Sequence, residues 1–368
     1  RRSNAGSDPE HRDFPRVRFF TLRTNQSRPG PTMELLLLTW NVGNKDAKPE
    51  GLPKLEQLQS WLTLRAASSD VVVIGIQEGH PNLIPPYKEV FTAALNLATG
   101  DKGPFVCALA EHAETYFPLF VFTRETGKIE EAKPVCALRY TPVEDAILKT
   151  ELNNKGAVIA TLGVTAGGSS LNLVIANCHL QHAYTGLPKR LEMQSSLQEL
   201  VGLDAAPDDA NFLFLELGDL NFRFIASRPV DKEPTKKDRQ GSEHFQVEFD
   251  EVVAACEGTE LADVHEKLFE GGKRDQLTQA LLASTEAGNG PFKGFQEMPV
   301  SHRPTYKLVS SGKYDRDEPR LPGWCDRILW RVVGAKCGTV EGLGYTAVEE
   351  VTYTDHRPVL LRLRVNQG

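Results

Sequence analysis

No stretch of this sequence is long and apolar enough to form a membrane-spanning helix; its longest leucine run is Leu35–Leu38. Paired cysteines are missing as well. The six cysteines (Cys107, Cys136, Cys178, Cys256, Cys325 and Cys337) are scattered, with no CxxC and no zinc-type Cys/His spacing. That favours reduced, mostly buried thiols of an intracellular protein over a disulfide scaffold. An excess of positive charge is absent too: the net charge is −7, which argues against a broad footprint for duplex nucleic acid. A polyanionic ligand would have to be held by a local cluster of Lys and Arg. No signal peptide, low-complexity tract or internal repeat is visible, and a cytoplasmic location is expected, peripheral at membranes if the ligand is a lipid. The chain begins at Arg1 rather than Met and reads as a domain cut from something longer.

What is present is an ordinary globular balance, 40% apolar and 25% charged over 368 residues, enough for one large α/β sandwich. Residues 1–32 are polar and punctuated by Pro and Gly, with one apolar patch at Val17–Phe20; they read as a tail or linker. Residues 33–368 read as a single domain. Met33–Asn41 and Val71–Gln77 are expected as buried strands, with an amphipathic helix from Leu52 to Ala66 between them, a βαβ pattern. Further expectations are a helix over Tyr87–Leu97, strands at Tyr116–Thr123 and Val135–Arg139, and a hairpin of Ala157–Thr165 with Ser170–Cys178. Pro188–Leu200, Phe245–Cys256, Leu261–Phe269 and Arg274–Ser284 carry helical spacing, and Arg327–Trp330 and Val359–Val365 read as strands.

The stretch Phe212–Arg223 (FLFLELGDLNFR) is a buried strand followed by Asp219, Asn221 and Arg223 at alternate positions, which an extended chain would project to one side. Polar residues end the other apolar runs in the same way: Asn41, Glu78, His179, Asp326 and the pair Asp355-His356. The carboxylates suit a hard divalent ion such as Mg2+. Glu78 is the first candidate ligand, with Asn41 beside it directly or through water. Asp219 could orient and deprotonate an attacking water, and His356, oriented by Asp326, could stabilise charge on a phosphate oxygen. His179 and His182 lie three apart but straddle a strand end, so zinc is not expected. Lys155, Lys189, Arg190, Arg223, Lys307 and Arg327 are the basic residues near these ends; Gly156 beside Lys155 would allow close backbone approach to a ligand.

Gly218-Asp219-Leu220-Asn221-Phe222-Arg223 and Pro322-Gly323-Trp324-Cys325-Asp326-Arg327-Ile328-Leu329 together resemble the two signature blocks of the inositol polyphosphate 5-phosphatases. Thr39–Val42, Gln77-Glu78, Asn154–Ala157, Cys178–Leu180, Pro304–Lys307 and Asp355–Pro358 agree in the family's order, so the resemblance runs from about Leu35 to Val365. It implies a deoxyribonuclease I-like, four-layer α/β sandwich of two central mixed sheets flanked by helices. It implies a Mg2+-dependent removal of the 5-phosphate from phosphoinositides or soluble inositol polyphosphates, without a phosphoenzyme. By position, Glu78 would hold Mg2+ with Asn41 in support and Asp355 nearby. Asp219 would activate water, Asn221 would steady the transition state, Asp326 would pair with His356, and His179 would touch the scissile phosphate. Lys155, Lys189, Arg190 and Lys307 would grip neighbouring phosphates, with Arg223 and Arg327 also assigned to the substrate. Departures fall mainly in the substrate-holding part: Glu216 where an aromatic is usual, Gly323 for a Ser or Ala, Lys189–Met193 in place of an Arg-Arg-Asn-x-Asp-like run, and Leu308 after Lys307. A nuclease or other phosphodiesterase of the same fold and a silent headgroup-binding scaffold are the alternatives. For a lipid substrate, Leu83–Tyr87 is the candidate membrane-contact loop, and no nucleic-acid partner is expected.

Overall fold

The computed structural model describes residues 31–43, 55–97, 100–112, 116–125, 127–139, 155–166, 169–204, 206, 210–227, 235–258, 273–334, 337–352 and 354–367. Residues 1–30 of the expected tail, the first residues of the Leu52–Ala66 helix expectation, Asn154 and the Leu261–Phe269 helix expectation lie outside them, while Thr32 already belongs to the first strand. Among the described residues eleven strands form two mixed sheets. The first has the order β10 (Thr339–Ala347), β11 (Val359–Asn366), β1 (Thr32–Asn41), β2 (Val71–Gln77), β4 (Leu119–Arg124), β3 (Phe105–Glu111). The second runs β5 (Lys128–Arg139), β6 (Gly156–Ala166), β7 (Ser169–His179), β8 (Phe212–Asp219), β9 (Asp326–Val333). β1–β2 and β7–β8 are the parallel pairs, Asn41 lying opposite Gln77 and His179 opposite Asp219. The other neighbours are antiparallel.

Alternation along the strands builds the four layers. Leu35, Leu37, Val71 and Val73 meet Leu173, Ile175, Leu213 and Leu215 between the sheets. Leu36, Leu38, Val72 and Ile74 pack outward on Trp61, Leu62 and Phe91. These belong to α1 (Leu55–Leu58, continued by a π-helical turn at Gln59–Thr63 and by Leu64–Ala66) and α2 (Ile84–Asn96). On the far side Ala176 and Phe214 pack on Met193 and Leu197 of α3 (Leu187–Val201) and Leu277 of α6 (Gln276–Ala287). α4 (Lys236–Gly241) and α5 (Glu243–Gly258) lie between α3 and α6 in the chain. Among the described residues no helix is long and apolar enough to cross a membrane.

The Leu83–Tyr87 expectation is corrected here. Pro85 and Pro86 lie in the first turn of α2 rather than in a loop, where a missing N–H costs nothing. Leu83, Ile84 and Tyr87 are buried against the outer face of the first sheet, which leaves Pro85 and part of Pro86 as the segment's exposed apolar surface.

The space between the sheets turns polar toward one end. The inward positions read Leu35-Leu37-Thr39-Asn41, Val71-Val73-Gly75-Gln77, Leu173-Ile175-Asn177-His179 and Leu213-Leu215-Leu217-Asp219. Asn177 pins the two sheets together: its Nδ2 donates to the carbonyls of Ile76, Phe117 and Pro118, each at 2.9 Å, and its Oδ1 accepts from Gln77 Nε2 at 2.6 Å. Gly75 makes room for it, since a Cβ there would lie 2.6 Å from Asn177 Oδ1.

Candidate active site

The polar end of that space is where the strand-terminal residues gather. Asn41, His179, Asp219 and Asp326 are all buried, each at the last or first position of its strand. Glu78 follows β2 in a left-handed backbone conformation (φ 57°), as does Asn221 after β8 (φ 56°). Such backbones cost about 1–3 kcal/mol each in non-glycine residues and cluster at functional sites. The tight β7–β8 contact above Asp219 requires Gly218, where a Cβ would fall 1.9 Å from the Cys178 carbonyl oxygen.

Asp219 is the hub. Its Oδ2 accepts from Asn41 Nδ2 at 2.9 Å and lies 3.4 Å from His179 Nε2 and 3.9 Å from His356 Nε2. Its Oδ1 accepts from the Asn221 backbone N–H at 3.1 Å. Glu78 Oε1 closes on the same groups, 3.4 Å from Asn41 Nδ2 and 3.8 Å from His179 Nε2. Lys155 Nζ sits 2.5 Å from His179 Nε2. Across the gap between sheets, His356 Nδ1 meets Asp326 Oδ2 at 2.7 Å, and Thr305 Oγ1 donates to that same oxygen at 2.6 Å. The Tyr306 ring lies on His356, centroids 4.5 Å apart.

The charges follow from this packing. Burial works against charge on His356, but Asp326 and Asp219 override it and hold the imidazolium up to about 10. Burial would raise Asp219, yet His356, His179 and Lys155 hold it well below the usual carboxylate range. Burial pushes the Asp326 carboxyl up and His356 pulls it back; with Asp219 also facing the ring, the proton rests on His356. Burial, with Lys155 next, lowers His179, which stays neutral beside the ammonium.

A hard cation fits this donor set. Glu78 and Asp219 bring carboxylate oxygens to common neighbours, and Glu78 keeps about a quarter of its side chain exposed, leaving room for water and phosphate oxygens. Ligand atoms of Asp219, Asp326 and His356 also lie within 4.8 Å of one another, but Asp326 and His356 are engaged with each other. Asn41 presents its nitrogen to the carboxylates while its oxygen accepts from Gly43 N at 2.9 Å. Asp355 is half-buried beside Gly43 and lies outside the group of convergent ligand atoms.

Several basic residues are not where the sequence pattern suggested. Arg190 is fully buried: its guanidinium donates to the carbonyls of Gln181 and Ala183, both at 2.8 Å, and to Gln276 Oε1 at 2.7 Å. It ties α3 to α6 and is a structural group. Arg327 is fully buried too, held by Asp275 at 2.8 Å and bidentately by Glu297. One residue from Asp326 along β9, it faces the helical layer instead of the site. Lys189 is exposed and bridges Glu192 at 3.2 Å in the same helix. Asp219, Asn221 and Arg223 do not share a side by period two, because the left-handed turn at Asn221 breaks the strand. They are linked by hydrogen bonds: Asn221 Nδ2 reaches the Leu180 carbonyl at 3.1 Å and its Oδ1 accepts from Arg223, whose guanidinium stands 4.8 Å over the Tyr306 ring.

Sequence reasoning missed Thr305 and Tyr306 as supports of the His356–Asp326 pair, although both sit in the Pro304–Lys307 motif. It also missed a small cavity lined by His182, Tyr184, Arg223, Arg239 and Arg320. Burial, then Lys155, Arg223 and Arg320, push His182 down to about 3; a neutral ring among guanidiniums replaces the metal pairing weighed for it.

The model of endonuclease/exonuclease/phosphatase family 2 matches residues 38–362. The chain belongs to that family. Among relatives, phosphatidylinositol 4,5-bisphosphate 5-phosphatase A of Rattus norvegicus is 28% identical over 90% of this chain and 31% of its own length. Type II inositol polyphosphate 5-phosphatase 15 of Arabidopsis thaliana is 26% identical over 89% of this chain and 31% of its own. The chain thus spans about a third of these relatives. Among solved structures, the inositol polyphosphate 5-phosphatase domain of spSynaptojanin, in complex with inositol (1,4)-bisphosphate and calcium ion, superposes with a TM-score of 0.63 at 22% identity, covering 91% of this chain and 85% of that one. The two-sheet, deoxyribonuclease I-like architecture is therefore the fold of this family member. The ferrous NO complex of a Cimex nitrophorin also superposes, at a TM-score of 0.59 and 17% identity over 92% of this chain and all of that one. A family fold hosts more than one chemistry, so function must be argued from the site.

Proposed function

We propose that residues 33–368 are the catalytic domain of a Mg2+-dependent phosphatase that removes the 5-phosphate from phosphoinositides or soluble inositol polyphosphates. The observation that carries the reading is the facing of Asp219 and His356, 3.9 Å apart, with Glu78, His179 and Lys155 around them. Relatives bearing 5-phosphatase names support it.

In this reading Glu78, with Asp219 beside it, holds Mg2+, which when bound neutralises phosphate charge and acidifies water. The remaining work belongs to the chain. Asp219 accepts a hydrogen bond from the attacking water and aligns it; held low, it is an orienting group more than a strong base. The loose transition state spreads charge over the phosphoryl oxygens. His356 donates Nε2–H to that charge while Asp326 and Thr305 fix its ring, and the Lys155 ammonium meets the same oxygens. Asn221 keeps Asp219 in place through its backbone N–H. Water's hydroxyl ends on phosphorus, the P–O bond to the ring breaks, and the water's proton balances the ring oxygen.

The test is phosphate release, with Mg2+ and with EDTA, from a soluble inositol trisphosphate and from its lipid bisphosphate counterpart, each carrying a 5-phosphate. Metal-dependent release from either, lost in Asp219→Asn, is expected, and the ratio between them assigns the substrate class. No release from either, with plasmid cleavage in a parallel arm, would overturn the reading in favour of a nuclease.

A further inference from the structure

Arg223 closes the Gly218–Arg223 motif, yet only 5% of its side chain is exposed. Its root is fixed first: the Arg223 N–H donates to Gln276 Oε1 at 2.9 Å, and the Gln276 N–H at the start of α6 donates to the Arg223 carbonyl at 3.2 Å. From there the guanidinium turns back along the chain, and its Nη2 donates to Asn221 Oδ1 and to the His182 carbonyl, the latter at 2.8 Å. The Asn221 amide is held at both ends, since its Nδ2 donates to the Leu180 carbonyl at 3.1 Å. A non-glycine residue keeps a left-handed backbone only where its surroundings over-determine it. Arg223 supplies part of that constraint, and the Asn221 N–H so placed donates to Asp219 Oδ1 at 3.1 Å. The same guanidinium stands 4.8 Å over the Tyr306 ring, whose centroid is 4.5 Å from that of His356.

Two halves of the site therefore meet at Arg223. Asp219 ends β8 of the second sheet, and His356 lies just before β11 of the first. A planar guanidinium can donate along its edge to an amide while standing over an aromatic ring, whereas an ammonium is a point charge without that fork. Lys307, the cation next to Tyr306 in the chain, is held by Asp315 at 3.1 Å and by Glu318, so it does not replace Arg223.

We propose that Arg223 is a positioning residue: holding Asn221 and the Tyr306 ring at once, it sets His356 against Asp219 across the two sheets. The proposal deepens the phosphatase reading and rests on it. Misplacing reacting groups by about 1 Å can cost about 10²-fold in rate, so the effect belongs in kcat rather than in KM.

The experiment measures kcat and KM for phosphate release from a soluble inositol trisphosphate by the protein as it stands, by Arg223→Met and by Arg223→Lys, together with histidine-selective NMR spectra of all three. Arg223→Met is expected to lower kcat by about 30- to 100-fold and to change KM by less than about threefold. Arg223→Lys keeps the charge but loses the fork, and its kcat should still fall by about tenfold. In both variants the ring signals of His356 should shift as Tyr306 moves over it, while those of His302, packed on Tyr345 with centroids 5.3 Å apart, stay in place. A KM that rises with kcat kept would make Arg223 a substrate grip, and full activity in Arg223→Lys would make it a bare charge. Unmoved His356 signals would leave it no route to the site, and any one of these three results overturns the proposal. Should Arg223→Met not fold, Arg223→Lys carries both readouts. If the unaltered protein releases no phosphate, the phosphatase reading falls, and the spectra alone decide whether Arg223 holds the two halves together.

Discussion

Asp326 and Arg327 are consecutive residues of β9 and open onto two ionic clusters of opposite character. Arg327 lies between Asp275 and Glu297, with the Tyr345 hydroxyl donating to Glu297 at 3.1 Å. None of these four side chains carries a buried polar atom without a partner. Asp326 faces the other way, into a cluster where its own Oδ1, His179 Nδ1 and Arg223 Nε are buried and unpartnered. Buried polar atoms are nearly always satisfied in folded proteins. A closed cluster holds elements together, whereas unmet valences beside convergent ligand atoms are arranged for something that arrives; those of Arg190 Nε and Glu216 Oε1 have no such ligand atoms beside them. Burial alone would rank the two alike.

Breaking each cluster should separate these roles. The largest effect is expected from Asp219→Asn, which removes the hub charge: phosphate release should fall about 10³- to 10⁴-fold, with the far-ultraviolet spectrum and melting temperature little changed. Arg327→Leu should do the reverse. It leaves Asp275 and Glu297 buried without their cation, costing about 3–5 kcal/mol in chemical denaturation, while protein that remains folded keeps its KM. His356→Gln is expected to cost about 10²- to 10³-fold in kcat with a much smaller change in KM, read by steady-state kinetics.

The smallest effect sharpens the comparison from a third buried acid. Glu216 faces α3, accepts from Gln194 Nε2 at 2.7 Å, and is pushed up to about 7 by burial, Gln194 opposing. Its folded value lies above the roughly 4.3 of an unfolded chain, so the folded state binds the extra proton. The stability it contributes is complete below about pH 4.3 and is lost as pH rises through about 7, a loss of roughly 4 kcal/mol by pH 8. Glu216→Gln should flatten that slope in thermal melts between pH 5 and 8 without altering kcat; a slope as steep as before would show that Glu216 is not its source.

Much of this was legible in the sequence, and the reasons differ by residue. The sheets were readable because Val71–Gln77 and Phe212–Leu217 are apolar runs too short for helices, and the site because Asn41, Glu78, His179, Asp219 and Asp326 stop such runs. Arg190 and Arg327 misled because a charge beside a motif reveals nothing of the layer it faces, although one step of strand alternation from Asp326 would have turned Arg327 away. Asn177 was hidden inside an apolar run, and its partner Gln77 reads as a strand end. Glu318 reaches Lys307 from eleven residues away through a turn that no periodicity marks. Leu83–Tyr87 looked like an exposed apolar loop only because its prolines were read as loop formers rather than as a helix start.

The site draws Asn41, Glu78 and His356 from the first sheet or its loops, and His179, Asp219 and Asp326 from the second. A ligand held there acts as a rivet through both plates of the sandwich. Its grip is then felt well beyond the atoms it touches: amide hydrogen exchange should slow together in β1 and β8, and the unfolding temperature should climb with ligand concentration as for a cross-link between halves. Occupancy of the cleft and cohesion of the molecule become one measurable quantity.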